Sequence, residues 1–525
     1  MRCILACAGL GQAAALAWPF AGDAQGQPQG WLQLVALGVL AFYLDRVKTT
    51  KQAFSTVWTF ASFWLIGSVW WLYISMHVYG GMPSWLAGVA VVLLASSMAL
   101  LYAIPGVIYH LATNTQVPRG WRAMAFGAVW LISEWLRGTV FTGLPWGAVG
   151  YAHTDSLLAT LSSWIGVYGI SGVAAMGVMW MVAQVRVEQH KSISWLPAIV
   201  MCSVAGFVVV MWVMPKQAQL STVKNKPIRV ALVQGNIEQN LKFSEGIENS
   251  LRDYQKALVE NQADLIVTPE TSLPITQDQL PQGYVDKLQD KYKSGQQLAM
   301  IGMPLVNVNA HGQKTYTNSV IGLGQINGGE TYRYDKHHLV PFGEFVPPMF
   351  QWFVRLMNIP MGSFERGALP QPLLVWRSER IAANICYEDL FGEELAQSFG
   401  TAEKPPTLMV NLSNIAWFGD TIAIDQHLQI SRMRAMELGR PMLRSTNTGA
   451  TVVIDEHGKV TARLPSGVKG ILQAEVSGVD GPITPYARWV SAWGLWPMLG
   501  LALGCLLWVS KITYQLRHGR RRFGP

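Results

Sequence analysis

The sequence predicts a membrane-bound helical bundle that carries one inserted α/β domain, and three observations lead to this prediction. Half of the 525 residues are hydrophobic and only 14% are charged, against about 25% charged residues in a soluble domain. The mean hydropathy is +0.22. The charged residues concentrate in the middle of the chain. We therefore divide the chain into a bundle of seven helices (1–215), a polar domain (216–488) and an eighth helix with a basic tail (489–525).

Eight segments are long and apolar enough to be membrane-spanning helices, which need about 20 mainly apolar residues. An alternative for the first segment is a cleaved signal peptide, because a short charged start precedes it and small residues follow it. The candidates lie near residues 3–20, 30–45, 53–79, 84–110, 121–140, 157–185, 194–214 and 491–510.

Lys and Arg in the short loops predict the orientation of these spans, because positively charged loops stay in the cytoplasm. Basic residues follow the second, fourth, sixth and eighth candidates, whereas the connections 22–30 and 80–84 contain none. Both termini are therefore expected in the cytoplasm and the polar domain on the extracytoplasmic side. This topology also accounts for the net charge of +8, so we expect no nucleic-acid partner.

The polar domain alternates strand and helix patterns, which is typical of a layered α/β domain. Helical spacing predicts helices at 244–262, opened by a Ser cap, and at 421–438. Apolar runs predict strands at 228–234, 264–268, 299–302, 318–324, 381–385, 408–411 and 450–454.

Cys386 is the only cysteine of the polar domain, and it directly follows the predicted strand 381–385. The other four cysteines lie in apolar spans, where a thiol behaves as a small hydrophobe. The extracytoplasmic side tends to oxidise thiols, so a lone cysteine there is either buried and inert or kept for its thiolate. Cys386 is therefore a candidate nucleophile.

Two further polar positions stand out at strand ends. Glu270 follows the predicted strand 264–268, and Lys336 and Glu344 lie in 334–347, which is too apolar for an ordinary surface loop. Each of them alone has a structural alternative, because polar side chains often cap turns or form ion pairs. Their combination with Cys386 is far more specific.

Glu270, Lys336 and Cys386, at the ends of three strands, resemble the nitrilase (carbon-nitrogen hydrolase) superfamily. Within it, the chain is most similar to the apolipoprotein N-acyltransferase family, over essentially its whole length. The resemblance implies an extracytoplasmic αββα sandwich on a bacterial inner membrane. Its most specific motifs are Val-Gln-Gly-Asn-Ile at 233–237, Thr-Pro-Glu-Thr at 268–271, the segment 334–347, Ile-Cys-Tyr-Glu at 385–388 and Arg-Met-Arg-Ala at 432–435.

The resemblance implies transfer of an acyl chain from a phospholipid, the sn-1 chain of phosphatidylethanolamine, to the α-amino group of the diacylglyceryl-cysteine of a lipoprotein. Cys386 would carry the chain as a thioester, Glu270 would be the general base, and Lys336 would stabilise the oxyanion. A glutamate with a pKa of about 4.3 is a weak base for a thiol with a pKa of about 8.5. We therefore expect burial to raise the pKa of Glu270.

Further residues are expected to support this site. Glu344 would hold Lys336 or relay protons, and Tyr387 and Glu388 match supporting positions of the family. Where the family often has a Lys-Trp pair, this chain has Lys242 and Phe243. Phe243 keeps an aromatic ring but lacks the indole N–H, which leaves any hydrogen bond at this position in doubt.

Apolar side chains are expected to bind the lipid substrates. The segment 348–357 is amphipathic, and we predict that it forms a lid over acyl chains through Trp352 and Phe353. Trp417, Trp146 and Phe243 are further candidates for contact with the substrates. The alternative is that these segments pack the domain against the bundle, because amphipathic stretches also arise at protein interfaces.

Charged and histidine residues elsewhere complete the sequence-based predictions. Glu134 and Arg137 share a face of the fifth span, where they either fix the following loop or contact a phospholipid head group. His337, His338 and His427 lack the spacing of a metal site. No glycine-rich phosphate loop is present. We therefore expect neither a metal nor a cofactor.

Two other functions remain open from the sequence. A membrane-tethered amidase or nitrilase would use the same three residues but pass the acyl group to water. A non-catalytic scaffold or lipid transporter would need them only for structure, and it would function without the Cys386 thiol.

Overall fold

The computed structural model describes residues 1–113, 117–185, 199, 203, 206, 209–210, 222–242, 246–309, 311–326, 331–347, 364–401 and 403–519. The chain forms two compact units. The first comprises Met1–Leu72, Ser84–Gln219 and Trp493–Pro525, and the second comprises Tyr73–Pro83 and Leu220–Ala492.

The first unit is helical, and its core is rich in aromatic residues. Trp64 stacks on Trp130 with ring centroids 5.8 Å apart and meets Tyr102 edge-on at 5.1 Å. Short 3-10 turns at Val140–Thr142, Val149–His153 and Leu157–Leu161 connect the longer helices. The longer helices are Arg2–Leu16, Gly30–Leu44, Thr50–Val69, Ser84–Met98, Leu100–Ala112, Arg119–Thr139, Ser162–Val185 and Trp496–Gly519.

Within the described residues, three helical stretches are long and apolar enough to cross a membrane: Ser84–Ala112, Leu157–Val185 and Trp496–His518. A fourth results if the bent pair Thr50–Val69 and Leu72–Tyr79 is one span. These helices fit a membrane protein. The remaining candidates fall short of the same test for different reasons. Two of them, Arg2–Leu16 and Gly30–Leu44, are shorter, the helix Arg119–Thr139 carries four charged residues, and 194–214 lies almost wholly outside the described residues.

The second unit contains the strands. They are β1 Val223–Lys224, β2 Ile228–Gln234, β3 Leu265–Val267, β4 Leu298–Val308, β5 Lys314–Leu323, β6 Tyr332–Asp335, β7 Leu374–Trp376, β8 Glu379–Ile385, β9 Leu408–Ser413, β10 Met442–Thr446, β11 Val452–Ile454, β12 Val460–Arg463, β13 Gly470–Val476 and β14 Val479–Asp480. Its α-helices of four or more residues are Ile247–Glu260, Tyr284–Tyr292, Gly392–Leu395, Gln397–Thr401, Ala423–Leu438 and Pro485–Trp493.

The described strands form two six-stranded sheets and one short pair. The sheet orders are β13-β2-β3-β4-β5-β6 and β12-β11-β10-β9-β8-β7, and β1 pairs with β14. The strands β2, β3 and β4 run parallel in the first sheet, as do β8, β9 and β10 in the second. The carboxyl ends of neighbouring parallel strands meet at one edge of each sheet, which is where the candidate site residues follow their strands.

The two sheets pack face to face, and helices cover them from outside. Val230 and Leu232 of β2 belong to the core that also contains Ile385 and Leu412 from the second sheet. The alternate residues of β2 pack with side chains of the helices Ile247–Glu260 and Tyr284–Tyr292. Because both faces of the strand are buried, it reads as a continuous apolar run. The domain is thus a nitrilase-like sandwich of two sheets between helices.

Each of the seven strands predicted from the sequence corresponds to a strand in the structure, but the other half of the 14 described strands was not predicted. The missed strands are short, edge or polar ones, such as β6, whose burial alternates. The missed β6 matters for the site, because it ends at Asp335 and places Lys336 directly after a strand. The helix predicted at 244–262 begins at Ile247, and 243–245 lie outside the described residues.

Candidate active site

A buried ion triad lies at the strand ends of the second unit. The Lys336 Nζ is 3.0 Å from Glu270 Oε1 and 2.9 Å from Glu344 Oε2. Lys336 is 1% exposed, and both glutamates are less than one tenth exposed. The structure therefore brings these three predicted residues together and shields their charges from solvent, where electrostatic interactions are strong.

Both oxygens of the Glu270 carboxylate are held in place. The Asn318 Nδ2 donates to Glu270 Oε1 and to Glu344 Oε1, at 2.7 Å each. The backbone N–H of Asn414 donates to Glu270 Oε2 at 2.8 Å. Neither asparagine was singled out from the sequence, because a neutral amide at a strand position carries no distinguishing pattern. The only signal was a polar residue at the start of the apolar run 318–324.

Glu344 is oriented by its own turn. Its Oε2 accepts the N–H of Val340 at 2.8 Å, and its backbone N–H donates to the Val340 carbonyl at 2.9 Å. The carboxylate thus reaches Lys336 from a closed turn. This contact fits the expectation that Glu344 holds Lys336.

Cys386 sits on a strained turn directly after β8. Its φ is +50°, a left-handed value that costs a non-glycine residue roughly 1–3 kcal/mol. The register pairs Ile385 with Leu412, so Cys386 and Ser413 are neighbours at the ends of their strands. The Cys386 carbonyl accepts the Asn411 Nδ2 at 3.3 Å. A sharp strand-to-turn junction of this kind presents a nucleophile at the sheet edge.

Glu388 connects the segment after Lys336 to the turn at Cys386. Its Oε1 accepts the N–H groups of His337 at 2.6 Å and of His338 at 3.2 Å. Its Oε2 accepts the Ile385 N–H at 2.6 Å and the Tyr334 hydroxyl at 2.9 Å. One carboxylate therefore ties the backbone that follows Lys336 to the backbone that precedes Cys386. These four contacts agree with the prediction that Glu388 supports the site.

Replacing Glu388 by Gln is expected to lower the rate of the reaction at this site by roughly 10²-fold, because an amide oxygen cannot accept all four donors and a small misplacement of reacting groups has effects of that size. Burial raises the pKa of Glu388 to about 7, against the lowering by the N–H groups of Ile385 and His337. The parent should therefore lose activity as the pH falls through about 7, when Glu388 is protonated. The Gln variant should lack this acidic limb in a pH–rate profile, and an unchanged profile would contradict the positioning role.

The pKa of Glu270 differs from the sequence-based expectation. Burial by itself would raise it, but the charge and hydrogen bond of Lys336 and the charge of Lys242 hold the pKa below its usual value. For Lys336 the effects are reversed. Burial by itself would lower its pKa, but the charges of Glu270 and Glu344 hold the pKa above its usual value. The expected rise was wrong because the argument counted the apolar neighbours of Glu270 and not the buried cations. Glu270 is ionised at neutral pH.

The Cys386 thiol is protonated at rest. Burial and then the charge of Glu270 raise its pKa to about 12, while Lys336 and hydrogen bonds from Ser413 and Asn414 lower it. The resting site thus holds a neutral thiol and a carboxylate. Such a pair can activate the sulfur only if the proton moves to Glu270 as the sulfur attacks.

Comparison with known proteins places the chain in a family. The model of the apolipoprotein N-acyltransferase N-terminal domain matches residues 11–180, and the carbon-nitrogen hydrolase model matches residues 229–480. An apolipoprotein N-acyltransferase from Verminephrobacter eiseniae is 45% identical, covering 93% of this chain and 92% of its own length. One from Ralstonia nicotianae is 44% identical, with 93% and 90% covered.

This chain belongs to the apolipoprotein N-acyltransferase family. The resemblance inferred from the motifs is thereby confirmed. The solved carbon-nitrogen hydrolase from Helicobacter pylori aligns with 52% of this chain and 94% of its own length, at 16% identity and a TM-score of 0.34.

Lys242 is a buried cation that the sequence analysis did not assign to the site. It is 2% exposed, and its Nζ donates to the Glu270 backbone carbonyl at 2.9 Å. Burial lowers its pKa to about 8, although the charge of Glu270 opposes this shift. Lys242 thus holds the turn that carries Glu270. The adjoining Phe243 lies outside the described residues.

The aromatic residues predicted to bind lipid fall into three groups. Trp352 and Phe353, with the predicted lid, lie outside the described residues. Trp417 is 39% exposed and meets Tyr79 edge-on at 5.8 Å. Trp146 is 2% exposed and packs on Trp71 with ring centroids 4.8 Å apart, a contact inside the first unit. The supporting residue Tyr387 is also buried, 5.4 Å from the Phe391 ring.

The pair in the fifth predicted span fixes the following loop. Arg137 donates to Glu134 Oε2 at 2.7 Å and to the carbonyls of Leu144 and Trp146 at 2.6 and 2.5 Å. The other Glu134 oxygen accepts the Val149 N–H at 3.2 Å. Both side chains are fully buried, so the structure favours the loop-fixing alternative over a head-group contact. Among the described residues, no group of three or more His, Cys, Asp or Glu could hold a metal ion.

Proposed function

We propose that this chain transfers an acyl chain from a phospholipid, the sn-1 chain of phosphatidylethanolamine, to the α-amino group of the diacylglyceryl-cysteine of an apolipoprotein. The observation that carries the proposal is the buried Glu270–Lys336 pair beside the Cys386 turn, in a chain that belongs to the apolipoprotein N-acyltransferase family. Glu270 is the general base, Cys386 the nucleophile and Lys336 the oxyanion stabiliser.

The first half-reaction forms a thioester. The Cys386 sulfur attacks the ester carbonyl of the phospholipid while its proton moves to Glu270. The ammonium group of Lys336 has three N–H donors and forms ion pairs with Glu270 and Glu344 at rest. We assign one of these donors to the developing oxyanion, with the Tyr387 N–H as a second donor. The tetrahedral intermediate then expels the lysophospholipid alkoxide, which takes the proton from Glu270.

The second half-reaction uses an amine in place of water. The α-amino group of the acceptor attacks the thioester carbonyl and passes a proton to Glu270. The C–S bond breaks, the thiolate regains its proton from Glu270, and the amide product leaves. A thioester suits this sequence because it stays reactive toward an amine.

We also propose the topology inferred from the sequence. Seven spans in 1–215 and an eighth in 489–525 would place the 216–488 domain on the periplasmic face of the inner membrane, with both termini in the cytoplasm. The loop charges support this orientation. In this arrangement Trp417, Phe243, Trp352 and Phe353 are the residues we assign to the lipid substrates, and the exposure of Trp417 supports its inclusion.

The test supplies purified full-length protein with phosphatidylethanolamine that carries a labelled sn-1 chain, without acceptor. We expect a hydroxylamine-sensitive acyl adduct on the Cys386 peptide, and we expect a diacylated lipopeptide to collect the label as an N-acyl product. The Cys386→Ala variant should form no adduct. The Cys505→Ala variant is the matched control, because it also removes a partly buried thiol and should leave the adduct unchanged.

The other outcomes identify the alternative functions. Label released as free fatty acid, with none on the lipopeptide, would indicate an amidase-like enzyme that uses water. Unchanged lipid handling in Cys386→Ala would indicate a scaffold or transporter. Either result would overturn the proposal.

A further inference from the structure

A second buried charged cluster lies behind the nucleophile, and the mechanism above does not use it. Asp389 belongs to the 3-10 turn that begins at Cys386, His427 and Ser431 lie on the helix Ala423–Leu438, and Arg444 lies on β10. These four side chains are at most 1% exposed. Three elements thus bring one carboxylate, one imidazole and one guanidinium together beside the turn that carries Cys386.

Asp389 and His427 hold the guanidinium of Arg444 in a fixed orientation. The Arg444 Nη1 donates to Asp389 Oδ2 at 2.9 Å and also to the Ser431 hydroxyl. Its Nη2 lies 2.6 Å from His427 Nδ1, and His427 Nε2 lies 2.7 Å from Asp389 Oδ1. Because a guanidinium only donates, Nδ1 accepts and Nε2 carries the proton toward Asp389. The imidazole is therefore neutral, and Asp389, His427 and Arg444 each contact the other two.

The cluster extends from Arg444 toward the sulfur. The Arg444 Nη2 is 3.5 Å from the Ser413 hydroxyl. Ser413 follows Leu412 at the end of β9, next to Cys386, and its side chain hydrogen-bonds to the Cys386 thiol. If the Ser413 oxygen accepts a hydrogen bond from Arg444, the single hydroxyl hydrogen of Ser413 can donate to the Cys386 sulfur. Among the described residues, the charged groups that act on Cys386 are Glu270, Lys336, Lys242 and Arg444, and Asp389 lies behind Arg444.

A purely structural role explains this cluster poorly. Buried ion pairs add little net stability, because removing both charges from water offsets their attraction. Arg444 Nε is buried and has no hydrogen-bond partner among the described residues, which is destabilising. Apolar side chains in place of the whole cluster would fill the same volume at lower cost. The remaining use of the guanidinium is its charge beside the nucleophile.

We propose that Arg444, held by Asp389 and His427, is a positioning residue that acts through Ser413 and directs the Ser413 hydroxyl hydrogen at the Cys386 sulfur. The charge and the hydrogen bond together favour the developing thiolate and the thioester leaving group. The inference rests on the proposed function, because it assigns these residues to the same nucleophile.

The test measures how fast iodoacetamide alkylates Cys386 in full-length protein, across the neutral and alkaline range, by mass analysis of the Cys386 peptide. We expect Arg444→Gln to lower the rate at neutral pH about tenfold, which corresponds to a rise of about one unit in the thiol pKa. Ser413→Ala should have a similar effect, and Arg444→Lys should keep part of the parent rate. The double variant Ser413→Ala/Arg444→Gln should be no slower than the slower single variant, because one acts through the other.

Arg440→Gln is the matched control. Arg440 is equally buried in the same domain, but it donates to the carbonyls of Pro406 and Gly481. It should lower the melting temperature without changing the alkylation profile. If Arg444→Gln does not fold, Ser413→Ala and Arg444→Lys decide the question.

A parent-like alkylation profile in folded Arg444→Gln or Ser413→Ala would overturn the inference, and so would additive effects in the double variant. Alkylation needs no lipid, so this result is independent of the acyl transfer test. A failed proposed function would appear as acyl transfer that persists in Cys386→Ala, whatever the alkylation rates are.

Discussion

Glu270→Gln is expected to lower acyl-adduct formation by roughly 10³-fold, within the range for loss of a general base, while Cys386 becomes easier to alkylate. The two effects have opposite signs for one reason. The Glu270 carboxylate accepts the thiol proton during attack, but its charge also raises the pKa of Cys386 at rest. Labelled phospholipid and iodoacetamide, applied to the same preparation, measure both effects.

Glu379→Gln is the matched control for the loss of Glu270. Glu379 is a fully buried carboxylate at the opposite end of β8, where it accepts from Thr407 and Asn225. Its replacement should change stability without changing the ratio of acylation to alkylation. Slower alkylation in Glu270→Gln would mean that the carboxylate activates the thiol before substrate binds, and parent-like acylation would remove Glu270 from the mechanism.

In a Glu388→Gln background, which removes the limb due to Glu388, Lys336→Met is expected to lower acyl transfer by roughly 10²- to 10³-fold, the effect of removing one oxyanion donor. It should also move the remaining acidic limb of the pH–rate profile, which belongs to Glu270, upward. Without the lysine, the carboxylates of Glu270 and Glu344 share the Asn318 amide with no cation between them. One of two neighbouring carboxylates then stays protonated. The limb should move to higher pH because the charge of Lys336 holds the pKa of Glu270 below its usual value, and this effect is lost in the variant.

The limb moves upward because the reaction needs Glu270 ionised at rest, and removing the cation raises the pH at which that form appears. The double variant Lys336→Met/Glu344→Gln separates charge from geometry. It should move the limb back toward the parent position, since one competing carboxylate is gone, while the rate stays low for lack of the oxyanion donor. A limb that stays in place in Lys336→Met would show that the lysine does not set the pKa of Glu270.

The positions of the candidate catalytic residues at strand ends were the most predictable part of the candidate site. Glu270, Lys336 and Cys386 each follow a strand end. The buried strands that lead to Glu270 and Cys386 read as continuous apolar runs in the sequence. Edge strands such as β12 expose every second residue and carry charges, so their pattern resembles that of a loop. The central strand β10 was missed as well, because it contains Arg444, Ser445 and Thr446, whose burial only the fold makes possible.

The residues that hold the site together were the least predictable part. Asn318 meets Glu270 from 48 residues away in the chain, and Asn414 meets it from 144 residues away. Arg444 reaches Asp389 across 55 residues. Contacts over such separations depend on how the sheets close, and a single amide or arginine in a strand has no local pattern that predicts its partner.

The sequence by itself determined the class of the protein, the order of the candidate catalytic residues and the family, because these depend on composition, apolar periodicity and local motifs. The tertiary structure decided the electrostatics of the site. It placed Lys336 and Lys242 close enough to Glu270 to outweigh the effect of burial on its pKa, and it set the Asp389–His427–Arg444 cluster behind Cys386. Charges act through distance in space, and local sequence patterns do not encode the distances between residues far apart in the chain.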